Sequence, residues 1–247
     1  MIVLCLHHVS SNTQGGAKYR QFLITPKGLT RVIRSARALG MEFISMADVL
    51  RDPQAFWQTN HANKIVMTYD DGYENFFTEA LPVHEREGCP ATLFAVAGKF
   101  SGSNDWDPDM PPSPLMSLEQ MQQATHSGLI TIGSHSLLHR RLQTLAPDEL
   151  NRDLEQSHQI LTTALGDGYL PVLAYPYGNY SQDVVEWAKD SPYKYAFTIK
   201  RGFWLPTTPL HEVPRFCVGF QDGYPFVFFA KCLRNRITAA IRHAQSR

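Results

Sequence analysis

At 247 residues, with 43% apolar side chains, the chain has the size and composition of a globular protein with a substantial core. Lys+Arg and Asp+Glu both number 23, so the formal net charge is zero and gives no electrostatic footprint for nucleic acid. No apolar stretch approaches the roughly 18 residues that a membrane-spanning helix needs.

The apolar run 2–7 predicts a first strand. It lacks a basic start and runs straight into His7-His8, so no secretory leader is read and a cytoplasmic protein is expected. A helix over 26–39, a strand over 42–44 and a strand over 64–69 follow. A helix over 73–87 is closed by Gly88-Cys89-Pro90, and a strand over 91–96 comes next. The segment from about 97 to 116 holds Trp106 and several aspartates and prolines. It is long for a loop in a compact domain, which suggests a lid or a substrate wall. Ser117 ahead of Glu119-Gln120 starts a helix over 117–127, and 129–134 is a strand. Pro147-Asp148-Glu149 opens a helix over 147–165, its carboxylates at the positive end of the dipole. Strand 171–175, helix 181–190, strand 194–198 and a helix over about 225–243 complete the chain. This alternation predicts an α/β protein whose parallel strands are covered by helices, as an open sheet or a barrel, in a single domain spanning 1–247. The cysteines (Cys5, Cys89, Cys217, Cys232) are scattered and form no C-x-x-C pair, so most of them are expected to pack as small apolar residues.

Chemistry concentrates just after the strands. Asp70-Asp71-Gly72 follows Ile65-Val66-Met67, His135-Ser136-Leu137-Leu138-His139 follows Leu129–Ile132, and Tyr175-Pro176-Tyr177-Gly178 ends another apolar run. In α/β folds the carboxyl ends of strands form the active-site rim. A carboxylate and two neutral imidazoles can hold a divalent metal, and the spare carboxylate is the base that metal-assisted hydrolysis needs. An amide after a strand end, such as that of Tyr177, is a candidate oxyanion donor. Taken singly, each motif also reads blandly, as a turn, a structural histidine pair or an aromatic corner.

Together these motifs resemble the polysaccharide deacetylase family, also called the NodB-homology domain or carbohydrate esterase family 4. Thr68–Gly72 matches its T-[FY]-D-D-G motif and His135–His139 its H-[ST]-x-x-H motif. Leu6–Ser10, Phe43–Ser45, Pro90–Phe94 and Val213-Pro214-Arg215 look most like the branch containing poly-N-acetylglucosamine deacetylases. The resemblance implies a distorted, incomplete (β/α) barrel of about seven parallel strands. It implies Asp71, His135 and His139 as metal ligands, Asp70 as general base and the Tyr177 N–H as oxyanion donor. Zinc is the expected ion, and Ni2+, Co2+, Fe2+ and Mn2+ suit the same ligands.

Two positions depart from the family pattern. Ala174 stands where an arginine usually steadies the base, and Arg215 is the candidate replacement. The late L-x-H motif for the general acid is unclear; His7 is the first candidate, His211 the alternative and His8 a weaker one. The implied activity is removal of an N-acetyl or N-formyl group from an amino sugar in a glycan or lipid-linked saccharide. A non-catalytic glycan-binding protein on the same scaffold is the alternative. The segment 225–243 pairs Lys231, Arg234, Arg236 and Arg242 with Phe228, Leu233, Ile237 and Ile241. Such a helix can pack on the barrel or lie on an anionic membrane surface.

Overall fold

The computed structural model describes residues 1–59 and 61–223. The helix expected at 225–243, and with it the membrane contact, lies outside these residues. Ten strands are found among them: β1 Ile2–Leu6, β2 His8–Val9, β3 Leu23–Ile24, β4 Glu42–Phe43, β5 Lys64–Tyr69, β6 Ala91–Ala95, β7 Ile130–Ser134, β8 Tyr169–Ala174, β9 Tyr195–Phe197 and β10 Phe216–Cys217. The main sheet runs β10-β1-β5-β6-β7-β8-β9, with β4 beside the start of β5. Every pairing in it is parallel. The seven strands of this path curl through 243° into an open half-barrel. β1 and β6 are buried at every position, so both of their faces are covered, which is why β1 reads as an unbroken apolar run rather than an alternating one.

The helices begin where local chemistry satisfies their free N–H groups. Ser117 accepts from the Gln120 N–H while the Gln120 side chain reaches back to the Ser117 N–H, a reciprocal capping box ahead of helix Leu118–Thr125. Thr25 caps helix Pro26–Ala38, which has proline in its first turn. Gly88 ends helix Leu81–Glu87 in the left-handed region at φ 54°. Helix Pro147–Leu165 has the expected bounds.

Several elements were not expected. Helices Ala17–Gln21, Met46–Arg51 and Pro53–Gln58 are short, and β2, β3 and β10 have two residues each, too few for a periodic pattern. The helix expected from 73 is helical from Glu74, and its first full turn, Phe76–Ala80, is π-helical. The cysteine expectation holds for Cys5 and Cys89, which are buried, but Cys217 is exposed. Among the described residues, no helix is long and apolar enough to cross a membrane.

Candidate active site

The carboxyl ends of β1, β5, β7 and β8 surround a cavity of about 550 Å³ whose wall includes His7, His8, Asp70, Asp71, His135, His139 and Tyr177. After β5, Gly72 at φ 77° turns the chain sharply. A β-carbon there would also press on Met121 Cε at 3.3 Å, so the turn calls for glycine. Among the described residues, four of the five non-glycine residues with positive φ are Asp71, Ser136, His139 and Tyr177, all at this rim. Backbone held in such sparsely populated conformations concentrates at functional sites.

Asp71 Oδ1 lies 3.3 Å from His135 Nε2 and 3.2 Å from His139 Nε2, and all three side chains are buried. Bonds of about 2.0–2.2 Å at tetrahedral angles would hold ligand atoms roughly 3.4 Å apart, so this donor set fits one divalent cation. His135 Nδ1 is 2.8 Å from the Ala174 carbonyl and donates to it, which turns the Nε2 lone pair toward Asp71. The position that lacks the family's arginine therefore still serves the site through its backbone. Burial works against a charge on His135, but the Asp70 and Asp71 carboxylates raise its pKa above the ordinary value. In His139 burial prevails and lowers it.

The histidine turn is braced from behind. Ser136 Oγ accepts the His139 N–H at 3.0 Å, and Ser134 Oγ accepts the Ser136 N–H at 3.1 Å. Buried Asp153, from helix Pro147–Leu165, accepts the Leu137 N–H at 2.8 Å.

Asp70 is buried beside Asp71 but bonded differently. Arg215, the residue before β10, is fully buried and meets both Asp70 oxygens at 2.7 Å. Its remaining donors reach Thr68 Oγ1 at 3.1 Å and Thr198 O at 2.9 Å. Burial pushes the Asp70 carboxyl up, but the guanidinium outweighs it and holds the group at about 2.

The three candidate acid histidines are separated by their surroundings. His7 is half-buried in the cavity wall, with a ring nitrogen within 4.8 Å of an Asp70 oxygen. His211 stands outside that wall, its Nε2 2.8 Å from the Tyr193 carbonyl. His8 is buried and stacked on Tyr73 at 3.8 Å. Burial, with His7 nearby, lowers its pKa to about 3, so the imidazolium that a general acid requires is disfavoured there.

Some residues of the site had not been assigned to it. Trp106, from the long loop, stacks on His139 at 4.4 Å, and its carbonyl accepts from the Tyr177 hydroxyl at 3.2 Å. Lys18 binds Asp107 at 2.7 Å and so ties helix Ala17–Gln21 to that loop. Arg141 lies over the Tyr177 ring at 4.2 Å. The length of the loop and its lone tryptophan were the only sequence signals for this wall. Nothing in the sequence pointed to Lys18 or Asp153.

A sequence model of the family described as Polysaccharide deacetylase matches residues 58–196, more than half of the chain. The chain belongs to the polysaccharide deacetylase family. Poly-beta-1,6-N-acetyl-D-glucosamine N-deacetylase of Staphylococcus epidermidis is 20% identical over 223 residues, covering 86% of this chain and 74% of the relative. The protein of the same name from Staphylococcus aureus is 24% identical over 160 residues, 62% of this chain and 53% of the relative. With YxkH of Bacillus subtilis the match is 26% over 138 residues and spans 45% of that relative, so the chain covers about half the length of several curated relatives. Solved structures share the fold. The Streptococcus pyogenes deacetylase PplD has a TM-score of 0.73 at 18% identity, with 89% of this chain and 92% of that one covered. IcaB from Ammonifex degensii has 0.69 at 21% identity, with 90% and 93% covered.

Proposed function

We propose that this chain hydrolyses the N-acetyl group of an amino sugar in a polymeric or oligomeric glycan, with β-1,6-linked N-acetylglucosamine the first substrate to test. The observation that carries this reading is the convergence of Asp71, His135 and His139 on one point, with Asp70 held beside it by Arg215 rather than joining the ligand set. The names of the staphylococcal relatives support the substrate class.

In this reading Asp71, His135 and His139 hold a divalent cation, with zinc first and nickel, cobalt, iron(II) and manganese as alternatives. The bound cation supplies Lewis acidity, polarising the acyl oxygen and acidifying water. Asp70 accepts the proton of the attacking water. Arg215 keeps that carboxylate ionised and aimed, acting through Asp70 rather than on the substrate. The Tyr177 N–H donates to the oxygen that gains charge as the carbonyl becomes tetrahedral, a contact of a kind whose loss costs about 10²–10³ in rate. His7 gives a proton to the nitrogen as the C–N bond breaks, leaving acetate and a free amine. Trp106 and Tyr177 form an aromatic wall suited to the face of a sugar ring.

The test is acetate release from an N-acetylated β-1,6-glucosamine oligomer by protein reloaded with each metal after chelation. Asp70→Asn should keep its metal and lose at least about 10³ in kcat, the scale of a general acid–base contribution. An active Asp70→Asn protein would refute the base assignment. Metal-loaded protein that binds the oligomer and releases no acetate would favour a glycan-binding role.

A further inference from the structure

Strand periodicity assembles a second group of metal-ligating atoms next to Asp70. Cys5 is two residues from His7, Thr68 two from Asp70, and Arg215 two from Cys217, so the members of each pair point the same way from the backbone. Cys5 is the register partner of Thr68 on β5 and of Cys217 on β10. All six side chains therefore fall on one face of three neighbouring parallel segments. Cys5 Sγ is 3.5 Å from Asp70 Oδ2, and ligand atoms of Cys5, His7 and Asp70 lie within 4.8 Å of one another. Cys217 joins this face as the residue opposite Cys5 across the β1–β10 pairing. Cys5 is buried, whereas Cys217 is exposed and lines the same cavity as His7 and Asp70, so an ion can arrive from solvent.

We infer that Cys5, Cys217 and His7, with Asp70 Oδ2 as fourth donor, form a second cation site for a thiophilic divalent ion such as Zn2+ or Cd2+, and that filling it inhibits the enzyme. Two sulfurs and an imidazole select soft or borderline ions over Mg2+ or Ca2+, which need shells of oxygen. Zinc–sulfur bonds of about 2.3 Å and zinc–nitrogen bonds of about 2.0–2.1 Å require Cys5, His7 and Asp70 to close in from spacings within 4.8 Å, and Cys217 to turn in from the cavity wall it lines. Binding converts two thiols to thiolates and releases both protons to solvent: M2+ + 2 RSH gives M(SR)2 + 2 H+. The two thiolates and the Asp70 carboxylate balance the dication and the Arg215 guanidinium. The neighbouring Cys5 thiol, with His7 and Arg215 close by, pulls the Cys217 thiol below its ordinary value. An ion held here takes His7 and an Asp70 oxygen out of use. The inhibitory consequence rests on the proposed function; the cation site itself does not.

The experiment titrates Cd2+ into reduced, metal-free protein and follows the ultraviolet thiolate-to-cadmium charge-transfer band together with stoichiometry. Wild type should bind two equivalents and show the band. Cys217→Ser and Cys5→Ala should bind one and lack it. In turnover assays Zn2+ beyond the first equivalent should inhibit wild type, with about tenfold or more zinc needed for Cys217→Ser once a thiolate ligand is gone. A wild type without the band, or a Cys217→Ser protein that titrates like wild type, overturns the site. Loss of the band with unchanged zinc inhibition overturns the inhibitory role. Failure of the deacetylase reading would leave the cadmium titration intact, so the two can be told apart.

Discussion

Replacing Arg215 with methionine removes the only counter-charge in direct contact with Asp70 among the described residues. The Arg215 side chain is 0% exposed and that of Asp70 3%, and two 2.7 Å contacts join them. Removing one partner of such a buried pair costs about 3–5 kcal/mol, because the charge left behind has lost its compensation. For a chain of this length 1 kcal/mol moves Tm by roughly 2–4 °C, so a fall of about 6–20 °C is expected. Asp70→Asn orphans the guanidinium and should cost a comparable amount. The double variant Asp70→Asn/Arg215→Met buries neither charge. It should recover roughly 2–3 kcal/mol relative to the sum of the two single losses, the coupling expected of residues in contact. Urea unfolding of the four metal-free proteins measures each stability, and m-values that stay constant show that the denatured state has not changed. Turnover separates stability from chemistry: the double variant should regain stability and remain inactive. Arg215→Met within about 0.5 kcal/mol of wild type, or single losses that simply add, would refute a coupled buried pair.

The acid assignment is tested by comparing His7→Ala, expected to lose about 10²–10⁴ in kcat, with His211→Ala. The latter should keep kcat and lose stability instead, since its Nε2 bonds the Tyr193 carbonyl inside the fold; equal kcat losses would sink the distinction. Asp153→Ala should weaken metal binding about 10–100-fold by freeing the Leu137 N–H, read as a metal Kd by competition with a chelating dye, and unchanged affinity would show that the turn needs no such brace. A pH effect comes from His84, which is fully buried between the Tyr69 hydroxyl at 2.9 Å and the Cys89 carbonyl at 2.8 Å. Burial drops its pKa from the ordinary 6.5 to about 4. The unfolded chain takes up this proton first, so the stability His84 contributes is intact above pH 6.5 and lost as pH falls from 6.5 to 4, by about 3 kcal/mol in all. Chemical denaturation across that range should show a slope in wild type that is shallower in His84→Gln by this amount, the remainder coming from groups such as His8; parallel curves would refute it.

Both catalytic-type motifs were legible in the chain because each is local. Asp70-Asp71-Gly72 needs only a strand end and a glycine turn, and the spacing of His135 and His139 survives as a single strained loop. The apolar runs likewise announced the long strands, since parallel strands buried on both faces keep no polar alternation. Cap residues such as Ser117 and Gly88 marked helix ends for the same reason, their partners being three or four residues away.

The resemblance named Arg215 as the residue to steady Asp70, but only the tertiary structure gives the contact itself. Arg215 is 145 residues from Asp70, on a segment too short to show a period, and it reaches the carboxylate because β10 pairs in parallel with β1. The meeting of Cys5 with Cys217 follows from that same pairing, while the course of the long loop sets Trp106 over His139 and a bond to the Tyr193 carbonyl holds His211 away from the cavity. A sequence records which groups are available and which turns they prefer. Which distant groups share a low-dielectric interior, and therefore set each other's charge, is decided when the strands take their register.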